Sequence, residues 1–164
     1  MKTIPSTLED ARAFLAAKRI AVVGLSRKED DFSRMVLREL ARRGYDVVPV
    51  HPAMKSAEGR TCYARLQDVR PPAEAALLMT SPGVTEQVVR DCAEAGVRRV
   101  WMHHGGGPGA ASEAAIAFCE AQGIAVVRDL CPFMALPGAG LPHRVHGFFR
   151  RLGGHAHPAA STAR

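Results

Sequence analysis

The fold is decided by the stretch Arg19-Ile-Ala-Val-Val-Gly-Leu-Ser-Arg-Lys28 and by the two elements that follow it. The stretch begins with a short apolar run, residues 19–24, which is typical of a buried strand. A helical pattern over Ser33–Arg43 then ends at Gly44, a residue type suited to the position after a helix. A second apolar run, Tyr45–Val50, predicts the next strand. A strand, a helix and a strand in this order predict a parallel βαβ unit with a right-handed crossover.

The same alternation continues as far as residue 127. Further strands are predicted at residues 75–79, 97–102 and 124–127, and further helices at residues 84–95 and 110–121. Successive strand–helix–strand units predict a doubly wound, Rossmann-like α/β fold of about five parallel strands with helices on both faces. We expect the strand order 3-2-1-4-5, which is natural for this fold.

The predicted organisation is one Rossmann-like domain over residues 19–154, with a helix before it and a short tail after it. Ser6 and Glu9 have the spacing of a capping box, so the helix within residues 1–18 is expected to begin after Ser6 and to pack on the domain. Beyond residue 127 the chain is irregular, and a short helix is expected around residues 143–152. Residues 155–164, rich in alanine and small polar residues, are predicted to be a disordered tail.

Composition narrows the class of protein. The chain has 164 residues, of which 47% are hydrophobic and 23% charged, as expected for one globular domain and not for a disordered chain. No apolar run approaches the ~20 residues of a membrane-spanning helix, and the N-terminus lacks the apolar segment of a signal peptide. Four cysteines are spread along the chain without a C-x-x-C pair, which argues against a zinc ribbon or a disulfide framework. We therefore expect a soluble, cytoplasmic protein with no membrane partner.

The basic charge of the chain favours a phosphate-bearing ligand. Its formal net charge is +6, from 22 Lys and Arg against 16 Asp and Glu. Acidic residues lie close to several basic pairs, and only 5% of residues are aromatic, which leaves few platforms for stacking nucleic-acid bases. A discrete small nucleotide is therefore favoured over nucleic acid as the partner.

The loop after the first strand carries the clearest binding signal. Ligands of doubly wound sheets bind beyond the carboxyl ends of the strands. Gly24 permits a tight turn there, Ser26 and Ser33 offer hydroxyl groups, and Arg27 and Lys28 would neutralise a pyrophosphate near the start of a helix. The alternative is an ordinary strand-to-helix turn with solvated charges.

The ligand predicted for this loop is not an ordinary dinucleotide. Ser26 and Glu29 stand where the G-x-G-x-x-G fingerprint requires glycine. The second strand ends in Val50-His51-Pro52, with no acid to bind a ribose 2′-hydroxyl, and Lys55 lies just beyond. A basic residue there suits an adenosine with an extra ribose phosphate, as in NADP or coenzyme A (CoA), and the missing glycines count against NADP.

From about Arg19 to Arg128 the chain resembles the CoA-binding domain family, small Rossmann-like proteins related to the nucleotide-binding domain of the succinyl-CoA synthetase α subunit. The motifs that carry the resemblance are Val22–Lys28, Ser33, Val48–Pro52, Val100–His103 and Asp129–Pro132. His51 departs from the asparagine commonly seen before the proline of this family. The chain has no counterpart of the second domain that gives the synthetase its ligase chemistry, so the resemblance implies binding of CoA or acyl-CoA without catalysis.

The resemblance also implies a role for each loop. The CoA pyrophosphate would be held by Gly24, Ser26, Arg27, Lys28 and Ser33. The adenosine and its 3′-phosphate would be flanked by His51, Pro52 and Lys55. The nucleotide or the start of the pantetheine arm would be contacted by Thr80, Ser81, Met102 and His103.

Three alternatives remain beside this interpretation. An NADP-dependent oxidoreductase is the second candidate function, with His103 as its best proton donor. Cys131 would either form a mixed disulfide with a CoA thiol or serve as a small buried hydrophobe, and the latter is favoured. His143 and His146 have the spacing of a metal-binding pair, but a basic solvated surface explains them more simply. The acyl group and protein partners are left open.

Overall fold

Five parallel strands form the central sheet of the protein, of which the computed structural model describes residues 6–104 and 109–136. The strands of the sheet and of a small antiparallel hairpin are, in chain order, β1 (Arg19–Val23), β2 (Asp46–Val50), β3 (Ser56–Ala57), β4 (Arg60–Thr61), β5 (Ala75–Leu78), β6 (Arg99–Met102) and β7 (Ala125–Arg128). The hairpin pairs β3 with β4, and the other five strands make the sheet. The predicted single-domain, Rossmann-like α/β fold is confirmed.

The expected strand order was wrong. The sheet has the order β2-β1-β5-β6-β7, which is 2-1-3-4-5 when only its own strands are counted. The expected order would have placed β2 inside the sheet, yet Pro49 in β2 has no N–H to donate to a second neighbour. On the outer side of β2 the Pro49 carbonyl accepts a hydrogen bond from the Tyr63 N–H at 3.0 Å, and the His51 N–H donates to the Tyr63 carbonyl at 2.9 Å. Pro49 therefore marks β2 as an edge strand, and β5 pairs with β1 instead.

Helices cover both faces of the sheet. Their bounds are α1 (Leu8–Leu15), α2 (Phe32–Arg42), α3 (Pro82–Glu94), α4 (Glu113–Ala121) and α5 (Pro132–Ala135). One core cluster packs α3 and α4 on the sheet, and the other packs α1, α2 and α5 on the opposite face. The strand side chains alternate between the two clusters, as in Val22 and Ala21, because successive residues of a strand point to opposite faces. No helix among the described residues is both long and apolar enough to cross a membrane.

The start of α1 differs by one residue from the predicted capping box. Thr7 is the N-cap, and its side chain accepts a hydrogen bond from the Asp10 N–H while the Asp10 carboxylate accepts one from the Thr7 N–H at 2.7 Å. Ser6 instead ties the N-terminus to β7, since its hydroxyl accepts from the Arg128 N–H at 3.0 Å. Ser112 caps α4, which begins at Glu113, three residues later than predicted. The helix expected around residues 143–152, the histidines within it and the predicted tail lie outside the described residues.

Candidate functional site

The strand order places the candidate site between β1 and β5. The chain leaves β1 toward β2 and leaves β5 toward β6, so the two connections run in opposite directions across the sheet. Such a reversal opens a crevice at the carboxyl ends of the two strands, where ligands of this fold class bind. Gly24 follows β1 and Thr80 lies two residues after β5 at this crevice.

Gly24 brings the first loop into close contact with the loop after β5. Its φ is +86°, a left-handed conformation that residues with a Cβ seldom adopt. A Cβ at this position would lie 2.6 Å from the Thr80 Cγ2 and 3.2 Å from the Met79 carbonyl oxygen. The Gly24 N–H also donates to the Val50 carbonyl at 3.2 Å, which joins the ends of β1 and β2. Only glycine fits both the conformation and the space.

Hydrogen bonds within the first loop use the two serine hydroxyls. The Ser33 Oγ accepts from the Ser26 N–H at 3.0 Å and donates to the Asp31 carboxylate at 2.6 Å. The Ser26 Oγ accepts from the Lys28 N–H at 3.2 Å. Because Ser33 is only 4% exposed, its hydroxyl shapes the loop from inside. The Arg27 and Lys28 side chains are exposed and have no ion-pair partner in the described part of the chain.

An ion-pair network centred on the buried Arg34 fastens the β3–β4 hairpin to the first loop. Arg34, 6% exposed, donates from Nε to the Glu58 carboxylate at 2.8 Å and from Nη1 to the Ser26 carbonyl at 3.2 Å. Arg38 donates from Nη1 to the same carboxylate and to the Glu29 carbonyl, both at 3.0 Å. This network was not predicted from the sequence; Glu58 and Gly59, both at positive φ, form the hairpin turn.

His51, after β2, is held as a neutral imidazole. Its Nδ1 accepts a hydrogen bond from the Ala53 N–H at 3.0 Å, which leaves the ring proton on Nε2. Burial and, secondarily, the nearby Arg27 charge lower the pKa of His51 below its usual value. At neutral pH His51 therefore offers one N–H donor and no positive charge.

A cavity of about 340 Å³ opens beside these loops, and its size lies in the range of small-ligand sites. It lies between the ends of β1 and β2, the segment after β4 and one face of α3. Its lining residues are Val23, Gly24, Val50, His51, Pro52, Ala64, Arg65, Leu66, Thr80, Val84, Gln87, Val88 and Asp91.

The cavity brings together only part of the predicted site. Gly24, His51, Pro52 and Thr80 line it. Lys55 is exposed but does not line it, and neither does Ser81, which is the N-cap of α3. The lining residues that were not predicted from the sequence are Val23, Val50, Ala64, Arg65, Leu66, Val84, Gln87, Val88 and Asp91. Of these, the ones on α3 recur at helical spacing, which is the signal that one face of α3 meets a common surface.

Met102 and His103 do not line the cavity. Met102 is 0% exposed and belongs to the core, so it presents no side-chain surface. His103 is 8% exposed and stacks on Phe32 at 4.8 Å between ring centroids, beside the cluster that packs α2. The buried His103 Nδ1 has no hydrogen-bond partner within the described ranges. Burial, with a smaller effect of His104, lowers the pKa of His103 to about 4, so this imidazole is uncharged at neutral pH.

Cys131 lies next to the same cluster, at the N-cap of α5. All four cysteines are free thiols, and burial raises the pKa of Cys131. A thiol that stays protonated at neutral pH is a weak nucleophile. Cys131 is only partly buried against that cluster, so its role as a small buried hydrophobe stays a prediction.

The sheet and the cavity at its crevice define a Rossmann-like α/β protein with a candidate ligand site at the carboxyl ends of its strands. Within that class the chain belongs to the CoA-binding domain family, whose sequence profile matches residues 18–137. The resemblance found in the sequence is thereby confirmed.

Individual proteins similar to the chain span bacteria and archaea. Uncharacterized protein YneT of Bacillus subtilis (strain 168) is 30% identical over 131 residues, 77% of this chain and 91% of that protein. The structure of a hypothetical protein from Pyrococcus horikoshii OT3 superposes with a TM-score of 0.74 at 29% identity, covering 82% of this chain and 95% of the other. The dinucleotide-forming acetyl-coenzyme A synthetase 1 of Ca. Korarchaeum cryptofilum is similar at a TM-score of 0.58 and 25% identity, over 66% of this chain and 25% of the enzyme.

Proposed function

We propose that the protein binds coenzyme A, or an acyl-CoA, without catalysing a reaction on it. The observation that carries the proposal is the 340 Å³ cavity at the sheet crevice, with the close-packed Gly24 turn at one end. In this arrangement the adenosine occupies the cavity and the pyrophosphate lies over the first loop. Membership of the CoA-binding domain family supports the assignment.

The charges around the cavity support a ligand with several phosphates. Arg27, Lys28, Lys55 and Arg65 are exposed, and none has an ion-pair partner in the part of the chain that the structure describes. Elsewhere, arginines such as Arg34 are paired with carboxylates. Unpaired cations beside a cavity favour phosphate groups, whose hydrogen bonds to charged donors are stronger than neutral ones. CoA carries phosphate at two separate places, the pyrophosphate and the ribose 3′-phosphate.

The state of the ionisable groups supports binding without catalysis. His51 is neutral, and its Nδ1 is occupied by the Ala53 N–H. Asp91 accepts hydrogen bonds from two glutamine amides. His103, the proton donor of the oxidoreductase alternative, is buried on Phe32 and does not line the cavity. A general base needs a free lone pair that reaches the ligand, whereas the Nδ1 lone pair of His51 is already used and His103 lies away from the cavity.

Calorimetric titration of the purified protein with CoA, dephospho-CoA and NADPH tests the proposal. We expect saturable binding of CoA, weaker binding of dephospho-CoA and no comparable response to NADPH. Saturable binding of NADPH without binding of CoA would overturn the proposal and favour the oxidoreductase. The release of free thiol from acetyl-CoA, followed over time, checks that bound acyl-CoA remains intact.

A further inference from the structure

The face of α3 that lines the cavity ends in a carboxylate. Val84, Gln87, Val88 and Asp91 occupy positions i, i+3, i+4 and i+7 of the helix, so they form one stripe toward the cavity. Asp91 is the one acidic side chain among the described residues that line it. With a rise of about 1.5 Å per residue, Asp91 lies about 10 Å along the helix from Val84. The cavity thus has its carboxylate at the far end of this stripe, away from the start of α3.

Only one oxygen of the Asp91 carboxylate is used by the protein. Its Oδ1 accepts hydrogen bonds from the Gln67 Nε2 at 3.0 Å and the Gln87 Nε2 at 3.2 Å. Its Oδ2 has no hydrogen-bond or ion-pair partner among the residues described. Both donors are neutral amides, so the negative charge is oriented by the protein but not paired with a cation. The free oxygen is an acceptor that suits an N–H group of a ligand.

The two ends of the cavity therefore suit opposite parts of a nucleotide. The unpaired Arg27 and Lys28 belong to the loop at the sheet edge, which favours phosphate there. A phosphate beside Asp91 would be repelled, whereas an amino group would be held. The ligand is thus oriented with its phosphates at the sheet edge and its base toward α3.

We propose that Asp91 recognises the exocyclic amino group of the adenine base, an inference that rests on the proposed function. The site then selects 6-aminopurine nucleotides and rejects those with a 6-oxo group. In the same position a 6-oxo group would place a second acceptor against the carboxylate, and the N1–H that a 6-oxopurine carries could meet the Asp91 Oδ2 only if the base shifted. Leaving a partly buried polar group unpaired in this way lowers affinity by about 10- to 100-fold.

The test compares CoA with its 6-oxopurine (hypoxanthine) analogue on three forms of the full chain: wild type, Asp91→Asn and Glu94→Gln. Wild type is expected to bind CoA at least about 10-fold more tightly than the analogue. Asp91→Asn is expected to bind CoA about 10-fold more weakly and to lose the preference, because an amide both donates and accepts. Thermal unfolding of each variant verifies that it is folded.

Glu94→Gln is the matched control. The Glu94 Oε2 accepts from the same Gln67 Nε2, at 2.9 Å, but Glu94 does not line the cavity. We expect this variant to keep the wild-type preference for CoA. Equal affinity of wild type for the two ligands, or an unchanged preference in Asp91→Asn, would overturn the inference and leave the proposed function intact. Failure of wild type to bind either ligand would refute the proposed function itself.

Discussion

Gly24→Ala offers a direct measurement of how closely the first loop approaches the loop after β5. The variant adds one Cβ at a position with φ +86°, where that atom would lie 2.6 Å from the Thr80 Cγ2. Gly44→Ala is a matched control, because Gly44 has φ +89° and a Cβ there would have no atom within 4 Å. The two substitutions share the backbone strain and differ only in the steric contact.

The expected loss of stability follows from these two contributions. Placing alanine in the left-handed conformation costs about 1–2 kcal/mol, and this cost applies to both variants. Forcing a methyl group into closely packed surroundings costs a further ~1–3 kcal/mol, and this applies to Gly24→Ala alone. The total of ~2–5 kcal/mol is a large share of the ~5–15 kcal/mol that stabilises a typical domain.

Urea denaturation of the two variants, and of each combined with Thr80→Ser, completes the experiment. Thr80→Ser removes the Cγ2 but keeps the hydroxyl that hydrogen-bonds to the Thr85 Oγ1 at 2.6 Å. We expect it to restore about 1 kcal/mol to Gly24→Ala and nothing to Gly44→Ala, since only contacting sites couple. Equal free energies of unfolding for Gly24→Ala and Gly44→Ala would refute the close approach of the two loops.

Three further predictions concern charge and pH. Lys28→Glu should weaken CoA binding by about 10-fold or more in calorimetry, because it replaces a cation of the loop proposed for the pyrophosphate with an anion. Lys18→Glu, at the amino ends of the strands, should leave CoA binding unchanged. Arg65→Ala should reduce the preference for CoA over dephospho-CoA more than Lys55→Ala does, because Arg65 lines the cavity and Lys55 does not. A larger effect of Lys55→Ala would indicate that the 3′-phosphate binds to Lys55. His103 has a pKa of about 4 in the folded state against 6.5 in the unfolded state. Its contribution to the free energy of unfolding is therefore complete above pH 6.5 and is lost as the pH falls toward 4. That shift corresponds to roughly 3 kcal/mol, and His103→Gln should flatten this part of the stability curve measured by denaturation at each pH.

The fold was predictable because its strands and helices have local signals. Short apolar runs such as Ile20–Val23 alternate with helical patterns, and this alternation is enough to predict a parallel sheet. The strand order was not obtained, because residues 51–74 carry the chain from β2 to β5 without a helix whose periodicity would indicate the crossover. Pro49 was the available signal, since its missing N–H is tolerated at the edge of a sheet.

The candidate site was predictable where it depends on strand ends and not where it depends on tertiary contacts. Gly24 and His51 follow strands directly and Thr80 lies two residues after β5, so the sheet places them at one edge. The wall formed by Arg65 and its neighbours depends on the hairpin folding back over the first loop, a contact made between residues far apart in the chain. Asp91 lies on a helix whose exposed positions resemble any solvated face until the opposite wall is known.

Arg34 joins Glu58 of the hairpin to the Ser26 carbonyl of the first loop, and this affects how fast and how tightly a ligand would bind. The hairpin leads into the cavity wall at residues 64–66, so these hydrogen bonds join that wall to the first loop, which is proposed to bind the pyrophosphate. Ligand binding in the proposed complex then requires little ordering of either segment, so the loss of conformational entropy on binding is smaller than it would be for two flexible loops. In the proposed complex, a change at the hairpin tip would loosen both walls together and shorten the lifetime of the bound state.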